Sequence, residues 1–184
     1  MRSSRYKITY NEEYNQDDYN IENTCCFTGH RPQKLPWGPN ENDPRCLETK
    51  RWIYMQIKQL YDLGYRQYMC GMAIGCDMYF AERVLILKAE HDDVLLFGAI
   101  PCASQPEKWN RAQKIRYTEL LLKCGGSCRI SEEYTGTCMM ERNRFMVDNS
   151  SAVIACYDGY PGGTMKTILY AQRENKDIRI LDVN

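Results

Sequence analysis

Beyond residue 22 the chain alternates short apolar runs with longer segments of helical period. The runs are Thr24–Thr28, Gln67–Cys70, Val94–Ile100, Cys128–Ile130, Ser151–Tyr157 and Ile178–Leu181. Most are too apolar for strands with one wet face, which predicts strands buried on both sides. Between them, residues 77–90, 105–123, 139–149 and 163–174 read as helices. Leu47, Tyr54, Ile57 and Tyr61 fall on one further helical face, and Gly64 stands where a C-cap glycine belongs. Met165, Ile168 and Leu169 keep the i, i+3, i+4 spacing of a core-facing stripe. This alternation predicts an α/β fold: a Rossmann-like, doubly wound, mostly parallel sheet flanked by helices on both faces.

Residues 1–22 break the pattern. They are polar, acidic and tyrosine-rich, with a brief alternation in YKITY, and read as a loose arm able to add one edge strand. The domain is accordingly expected over residues 23–184. Neither an internal repeat nor a low-complexity block interrupts it, and 184 residues suit one domain with a proper core.

Composition narrows the function. Lys plus Arg equals Asp plus Glu at 24 each, so the net charge is zero. That speaks against non-specific nucleic-acid binding, which draws on a basic excess, and nucleic acid is expected to be an improbable partner. No apolar run approaches the ~20 residues of a membrane span, and the first residues lack a signal-peptide core. No membrane association is expected, and the location is expected to be cytoplasmic. The ten cysteines include no Cys-x-x-Cys pair, and Cys124-x3-Cys128 has no second pair to complete a zinc site. Buried, reduced thiols and no metal are the expectation.

In open α/β sheets ligands bind outside the carboxyl ends of strands, so the loops following the runs carry the candidate chemistry. The first is Thr28-Gly29-His30-Arg31-Pro32. The second, GMAIGCD, holds Gly71, Gly75 and Asp77. The third, PCASQPEKW, holds Gln105 and Trp109 as a possible side wall, with Trp109 equally suited to the core. The fourth, DGYPGGTMKT, holds Asp158, Gly162, Gly163 and Thr164 between an apolar run and a helix. Glycines let backbone N–H groups approach a ligand, and a helix N-terminus offers free donors and a positive dipole end. Each loop has a plain alternative: a strand-to-helix turn for the glycines, an N-cap or first-turn position for Asp77, a local hydrogen bond for His30. WGPNENDPR is long enough for a lid, and His91 looks like a helix C-cap.

In MMERNRFMVDNS, advancing about 100° per residue from Met139 returns Arg142, Asn143 and Met146 to within about 60° of it. Glu141, Arg144 and Asp148 gather opposite. Arg142 and Asn143 therefore lie in the apolar stripe, and an inward guanidinium needs a partner. Asp77, Asp158 or a ligand phosphate or ribose would each serve.

CCFTGHRP, GMAIGCD, RNRFMVDNS and YDGYPGGT, in this order, resemble the YpsA-like branch of the SLOG superfamily, which joins the Smf/DprA domain to the LOG phosphoribohydrolases. The resemblance covers about residues 22–184. It implies a Rossmann-like fold binding nucleotides or their derivatives at the strand carboxyl ends. LOG enzymes cleave the N-glycosidic bond of nucleoside monophosphates with a helix arginine and a glutamate after a PGGxGT loop. Arg142 matches the arginine. After Pro161-Gly162-Gly163, however, come Thr164, Met165, Lys166, Thr167 and Ile168, with no carboxylate. Oxocarbenium character needs one nearby.

Three readings follow. The first is a binding module for a nucleotide or an ADP-ribose- or NAD-like ligand, with no cofactor and with a homo-oligomer left open. The second is an N-glycoside hydrolase in which Arg142 holds the substrate and Asp77 or Asp158 supplies the carboxylate. The third, by analogy with DprA, is a DNA-processing partner, which the neutral charge disfavours.

Overall fold

The odd and even positions of the strands belong to different cores, and this decides which helix lies where. A computed structural model describes residues 7–10 and 20–184. Most of the expected arm lies outside the described residues. Seven strands form one sheet: β1 (Lys7–Tyr10), β2 (Thr24–Thr28), β3 (Gln67–Cys70), β4 (Leu95–Cys102), β5 (Gly126–Ser131), β6 (Ala152–Tyr157) and β7 (Asp177–Asp182). Their spatial order is β1-β5-β4-β3-β2-β6-β7. All neighbours run parallel except β1, which pairs antiparallel with β5 through Ile8 opposite Cys128.

From β2 the chain steps outward to β3, β4 and β5, then returns to place β6 on the other flank of β2. A right-handed crossover puts its helix on a face set by the direction of travel, so the reversal moves the helices across the sheet. Helices α1 (Pro44–Asp62), α2 (Cys76–Glu90) and α3 (Arg111–Leu122) cover one face. Helices α4 (Cys138–Asp148) and α5 (Gly163–Arg173) cover the other. Cys25 and Phe27 of β2 accordingly pack with Ile53, Ile57 and Phe80 on the first face. Cys26 between them joins Phe145 and Met146 on the second. The doubly wound sheet is as expected, and it explains why β2 and β3 are buried at every position and β6 at all but its last.

Three local expectations are corrected. In α1 the buried stripe is Cys46, Thr49, Ile53, Ile57 and Leu60, whereas Leu47 is 49 % exposed. Ile57 lies in that stripe and Tyr54 and Tyr61 pack at the edge of the same core, so of the expected face only Leu47 turns outward. Helix α3 starts at Arg111 rather than near residue 105, because Asn110 and Gln113 form a reciprocal capping box and Pro106 lies in the turns before it. The loop after Trp37 is fastened rather than free to close as a lid. Trp37 is buried, Asp43 caps α1, and Glu41 bridges Lys50 of α1 and Arg116 of α3. The end of α1 matches its expectation, with Gly64 donating to Tyr61 O and Tyr65 to Leu60 O, each at 2.9 Å. His91 caps α2 and stacks on Tyr61, with ring centroids 4.4 Å apart.

Candidate functional site

The direction of winding reverses between β2 and β6, so their carboxyl ends open the crevice at which doubly wound sheets bind ligands. A cleft of about 210 Å³ lies there. The end of β2 contributes Thr28, the loop after it Gly29, His30 and Arg31, and a 3-10 turn at Pro32–Lys34 adds Lys34. Asp77 stands at the start of α2, Arg142 and Asn143 on α4, and Gly163 and Thr164 at the start of α5.

The two glycine loops do not face one another, because β2 separates β3 from β6. They also have different fates. Gly75 has φ +94°, and a Cβ there would stand 2.7 Å from His30 O and 2.9 Å from Pro32 Cδ. The Cys76 amide donates to His30 O at 3.1 Å, so the backbone of the β2 loop already seals the start of α2. Asp77 lies in the first turn of α2 and is not its N-cap, which is Gly75. The α5 end is open by contrast: Gly162 is its N-cap, no side chain caps it, and Gly163 and Thr164 face the cleft.

Gly71 is covered by arginine. A Cβ on Gly71 would overlap Nη1 and Cζ of Arg142 and come within 2.7 Å of Asp77 Oδ2. Only glycine leaves room for the guanidinium to lie against the β3 loop. Arg142 is 7 % exposed, as the helical wheel anticipates, and faces Asp77 Oδ2 at 3.5 Å. That distance is an ion pair without good hydrogen-bond geometry. Arg142 Nε and Nη1 are buried with no hydrogen-bond partner. Asp77 Oδ2 instead accepts from the Ala73 amide at 3.2 Å. Burial pushes the Asp77 carboxyl up against the pull of Arg142, and lowers the guanidinium against the pull of Asp77. Neither charge is fully compensated by protein, and the guanidinium borders the cleft.

Asp158 pairs with His30 rather than with Arg142. Its Oδ1 lies 2.9 Å from His30 Nε2 and accepts from the Tyr160 amide at 3.0 Å. It stands behind the imidazole, outside the residues lining the cleft. Burial opposes its ionisation, but the Tyr160 amide and His30 outweigh it, so the carboxyl titrates below the ordinary range. For His30, burial lowers the pKa and Asp158 opposes that. The other face of the ring meets Thr164, with Nδ1 3.5 Å from Oγ1.

Gln105 sits beneath the β3 loop and donates to Gly71 O at 3.2 Å and Met72 O at 3.0 Å, away from the cleft. Trp109 packs on the core edge-on to Tyr117 rather than walling the site. Gly162 lies under Lys34, whose Nζ is 3.1 Å from where a Cβ would be. Asn143 donates to Thr167 Oγ1 at 2.8 Å, tying α4 to α5 beside the cleft. Lys34 is the functional candidate that sequence reasoning passed over. Its only signal is a basic residue one turn beyond the HRP motif. Among the described residues no cluster of His, Cys, Asp and Glu could hold a metal, and all ten cysteines are buried and outside any disulfide.

A family model described as the YspA SLOG family matches residues 25–184. The chain belongs to that family. Similar proteins include a SPbeta prophage-derived protein, YoqJ, of Bacillus subtilis strain 168, 28 % identical over 71 % of this chain and 84 % of YoqJ. A UPF0398 protein of Staphylococcus epidermidis is 25 % identical, covering 73 % of this chain and 72 % of its own. In fold, this SLOG chain is similar to DNA processing protein A of Helicobacter pylori. The TM-score is 0.64 at 15 % identity, over 96 % of this chain and 71 % of that one. The Streptococcus pneumoniae protein gives 0.61 at 13 % identity, and the SLOG chain spans half its length.

One expectation falls here. Balanced charge was the ground for setting nucleic acid aside, yet the H. pylori protein, built on this fold, binds single-stranded DNA. Total charge is the wrong measure. Arg31, Lys34 and Arg142 line one cleft with a single carboxylate, Asp77, so the local balance is positive on a neutral chain. No helix among the described residues is long and apolar enough to cross a membrane.

Proposed function

We propose that this SLOG protein binds a phosphate-bearing nucleotide or an ADP-ribose- or NAD-like derivative at the β2–β6 crevice, as a sensor, sequestering or regulatory module of the cytoplasm. One observation carries the reading: a buried guanidinium borders the cleft with two of its nitrogens unsatisfied by protein. Both nitrogens are sealed from solvent in the free protein, so a ligand oxygen would recover the unmade bond, worth more than ~1–3 kcal/mol, by drawing the guanidinium towards the cleft. The uncapped start of α5, Thr164 and Lys34 supply a second pole for anionic oxygen in the same cleft. Ten buried cysteines outside any disulfide suit a reducing compartment.

Binding is favoured over glycoside cleavage because both candidate carboxylates already have protein partners. Asp77 is committed to Arg142 and the Ala73 amide, and Asp158 is committed to His30 and the Tyr160 amide. Calorimetric titration with ADP-ribose, NAD, AMP, a cyclic dinucleotide and a short single-stranded oligonucleotide tests the reading, with adenosine as the phosphate-free control. At least one phosphate-bearing probe should bind, and Arg142→Ala should weaken it by about 10–100-fold, as loss of a charge-assisted contact does. Absence of binding across the panel at millimolar concentration rejects the proposal.

A further inference from the structure

Resting on that reading, we propose that Asp77 makes the site selective for ribose. Its Oδ1 accepts a hydroxyl of the ligand sugar, so that a ribonucleotide binds in preference to the form lacking that hydroxyl.

The two oxygens of this carboxylate have different surroundings. Oδ2 is engaged by protein: it accepts from the Ala73 amide at 3.2 Å and faces Arg142 Nη1 at 3.5 Å. Oδ1 has no hydrogen-bond donor among the described residues, and unlike Arg142 Nε and Nη1 it is open to the cleft that Asp77 lines. Asp77 is only 6 % exposed, so a ligand filling the cleft displaces the water within reach of Oδ1. An ionised oxygen left buried without a donor is costly, more so than a neutral one. The same carboxylate repels phosphate, in a cleft otherwise lined by the cations Arg31, Lys34 and Arg142. A ligand suited to this cleft therefore brings a hydrogen donor to Oδ1 as well as an anion to the cations.

Position selects the donor. Oδ1 belongs to the carboxylate that Arg142 faces, so whatever meets Oδ1 lies beside whatever the guanidinium holds. In a nucleotide whose phosphate is drawn to Arg142, the sugar hydroxyls are the nearest donors, and the base amines lie beyond the sugar. A metal ion at Oδ1 is disfavoured, because Arg142 and Arg31 already act on Asp77 as positive charges and no second carboxylate lines the cleft.

Asp77→Asn tests the role of the free oxygen. The new amide must turn its own oxygen to the Ala73 N–H and to Arg142, which puts its NH2 group where Oδ1 stood. An acceptor facing the cleft becomes a donor, and the charge is lost.

The probes are AMP, its 2′-deoxy and 3′-deoxy forms, and the analogue with fluorine in place of the hydroxyl that matters, titrated by calorimetry with EDTA present. One deoxy form should bind about 10–100-fold more weakly than AMP, as loss of a hydrogen bond to a charged group does. The fluoro analogue, which keeps the bulk and loses the donor, should be as weak. In Asp77→Asn the preference should shrink to within a few-fold, while inorganic phosphate binds at least as tightly as to the wild-type chain. A merely structural role for Asp77 would weaken AMP and its deoxy forms alike, and an unchanged ratio overturns the assignment to Asp77. Should that variant fail to fold, the fluoro analogue decides on the wild-type chain: affinity equal to that of AMP overturns the proposal. Equal binding of AMP and both deoxy forms, or binding of ADP-ribose without AMP, overturns this inference and leaves the binding reading intact. If neither AMP nor ADP-ribose nor any other phosphate-bearing probe binds, both fall.

Discussion

Arg142 and Gly71 form a unit in which each residue makes sense only through the other. The guanidinium occupies the space a side chain on residue 71 would fill, and Asp77 anchors it there. Gly71→Ala should therefore displace the arginine, costing about 1–3 kcal/mol in stability as overpacking does and removing most of the binding that Arg142 confers. In an Arg142→Ala background the same Gly71→Ala change should cost far less, with a coupling energy of at least ~1 kcal/mol in a double-mutant cycle by chemical denaturation. Additive costs would mean that the arginine does not occupy that space in solution. His30 gives a second expectation, in the absence of ligand. Its folded pKa lies below the usual 6.5, so the unfolded chain binds the more protons between the two values. Stability should rise with pH across that window and fall as pH drops through it, and His30→Gln should flatten the slope in urea titrations at stepped pH.

At the scale of elements, the two glycine loops look alike in sequence and act differently in space. Gly-x-x-x-Gly after β3 and Gly-Gly after β6 both follow a buried strand and open a helix. The first is consumed internally, because Gly75 lets the β2 loop lie on the start of α2 and Gly71 admits Arg142. Only the second is left open, at the edge of the cleft. Gly75 sits in backbone space that non-glycine residues enter at ~1–3 kcal/mol, and its Cβ would also overlap His30 O. Gly75→Ala should lower the melting temperature by at least about 2–4 °C per kcal/mol lost, and should weaken ligand binding indirectly by shifting His30. An unchanged melting temperature would show the loop to be slack. Periodicity reached Arg142 correctly because α4 is a regular helix against a sheet, where 3.6-residue spacing fixes what points inward. In α1 it placed Tyr54, Ile57 and Tyr61 against the core and misplaced Leu47, at the exposed edge of the stripe. It also failed for the WGPNENDPR loop, since Glu41 reaches Arg116 from 75 residues away. Spacing along a chain carries no record of such contacts, nor of which loop Gln105 supports.

For the whole molecule, the reversal of winding at β2 puts one cleft on the seam between two helix layers that share a single sheet. Thr28 comes from the end of β2 and His30 from the loop after it, Arg142 and Asn143 from α4, and Thr164 from α5, so any ligand spans elements that must separate when the sheet unfolds. A ligand bound there stabilises the fold as one body rather than one loop. At about 100-fold over its dissociation constant it should add ~2.7 kcal/mol, which for a chain of this size corresponds to roughly 5–11 °C in melting temperature. The shift should grow with the logarithm of ligand concentration, and calorimetry, near-UV dichroism and tyrosine fluorescence should report one coincident transition. A ligand that raised only one probe's transition would be sitting on a peripheral loop. Because the cleft is locally cationic on a neutral chain, the shift should also shrink as salt rises from about 0.05 to 0.5 M, where the screening length falls from roughly 14 to 4 Å. A shift indifferent to salt would place the binding energy in base or ribose contacts, and would separate this protein from any partner held chiefly through its phosphates.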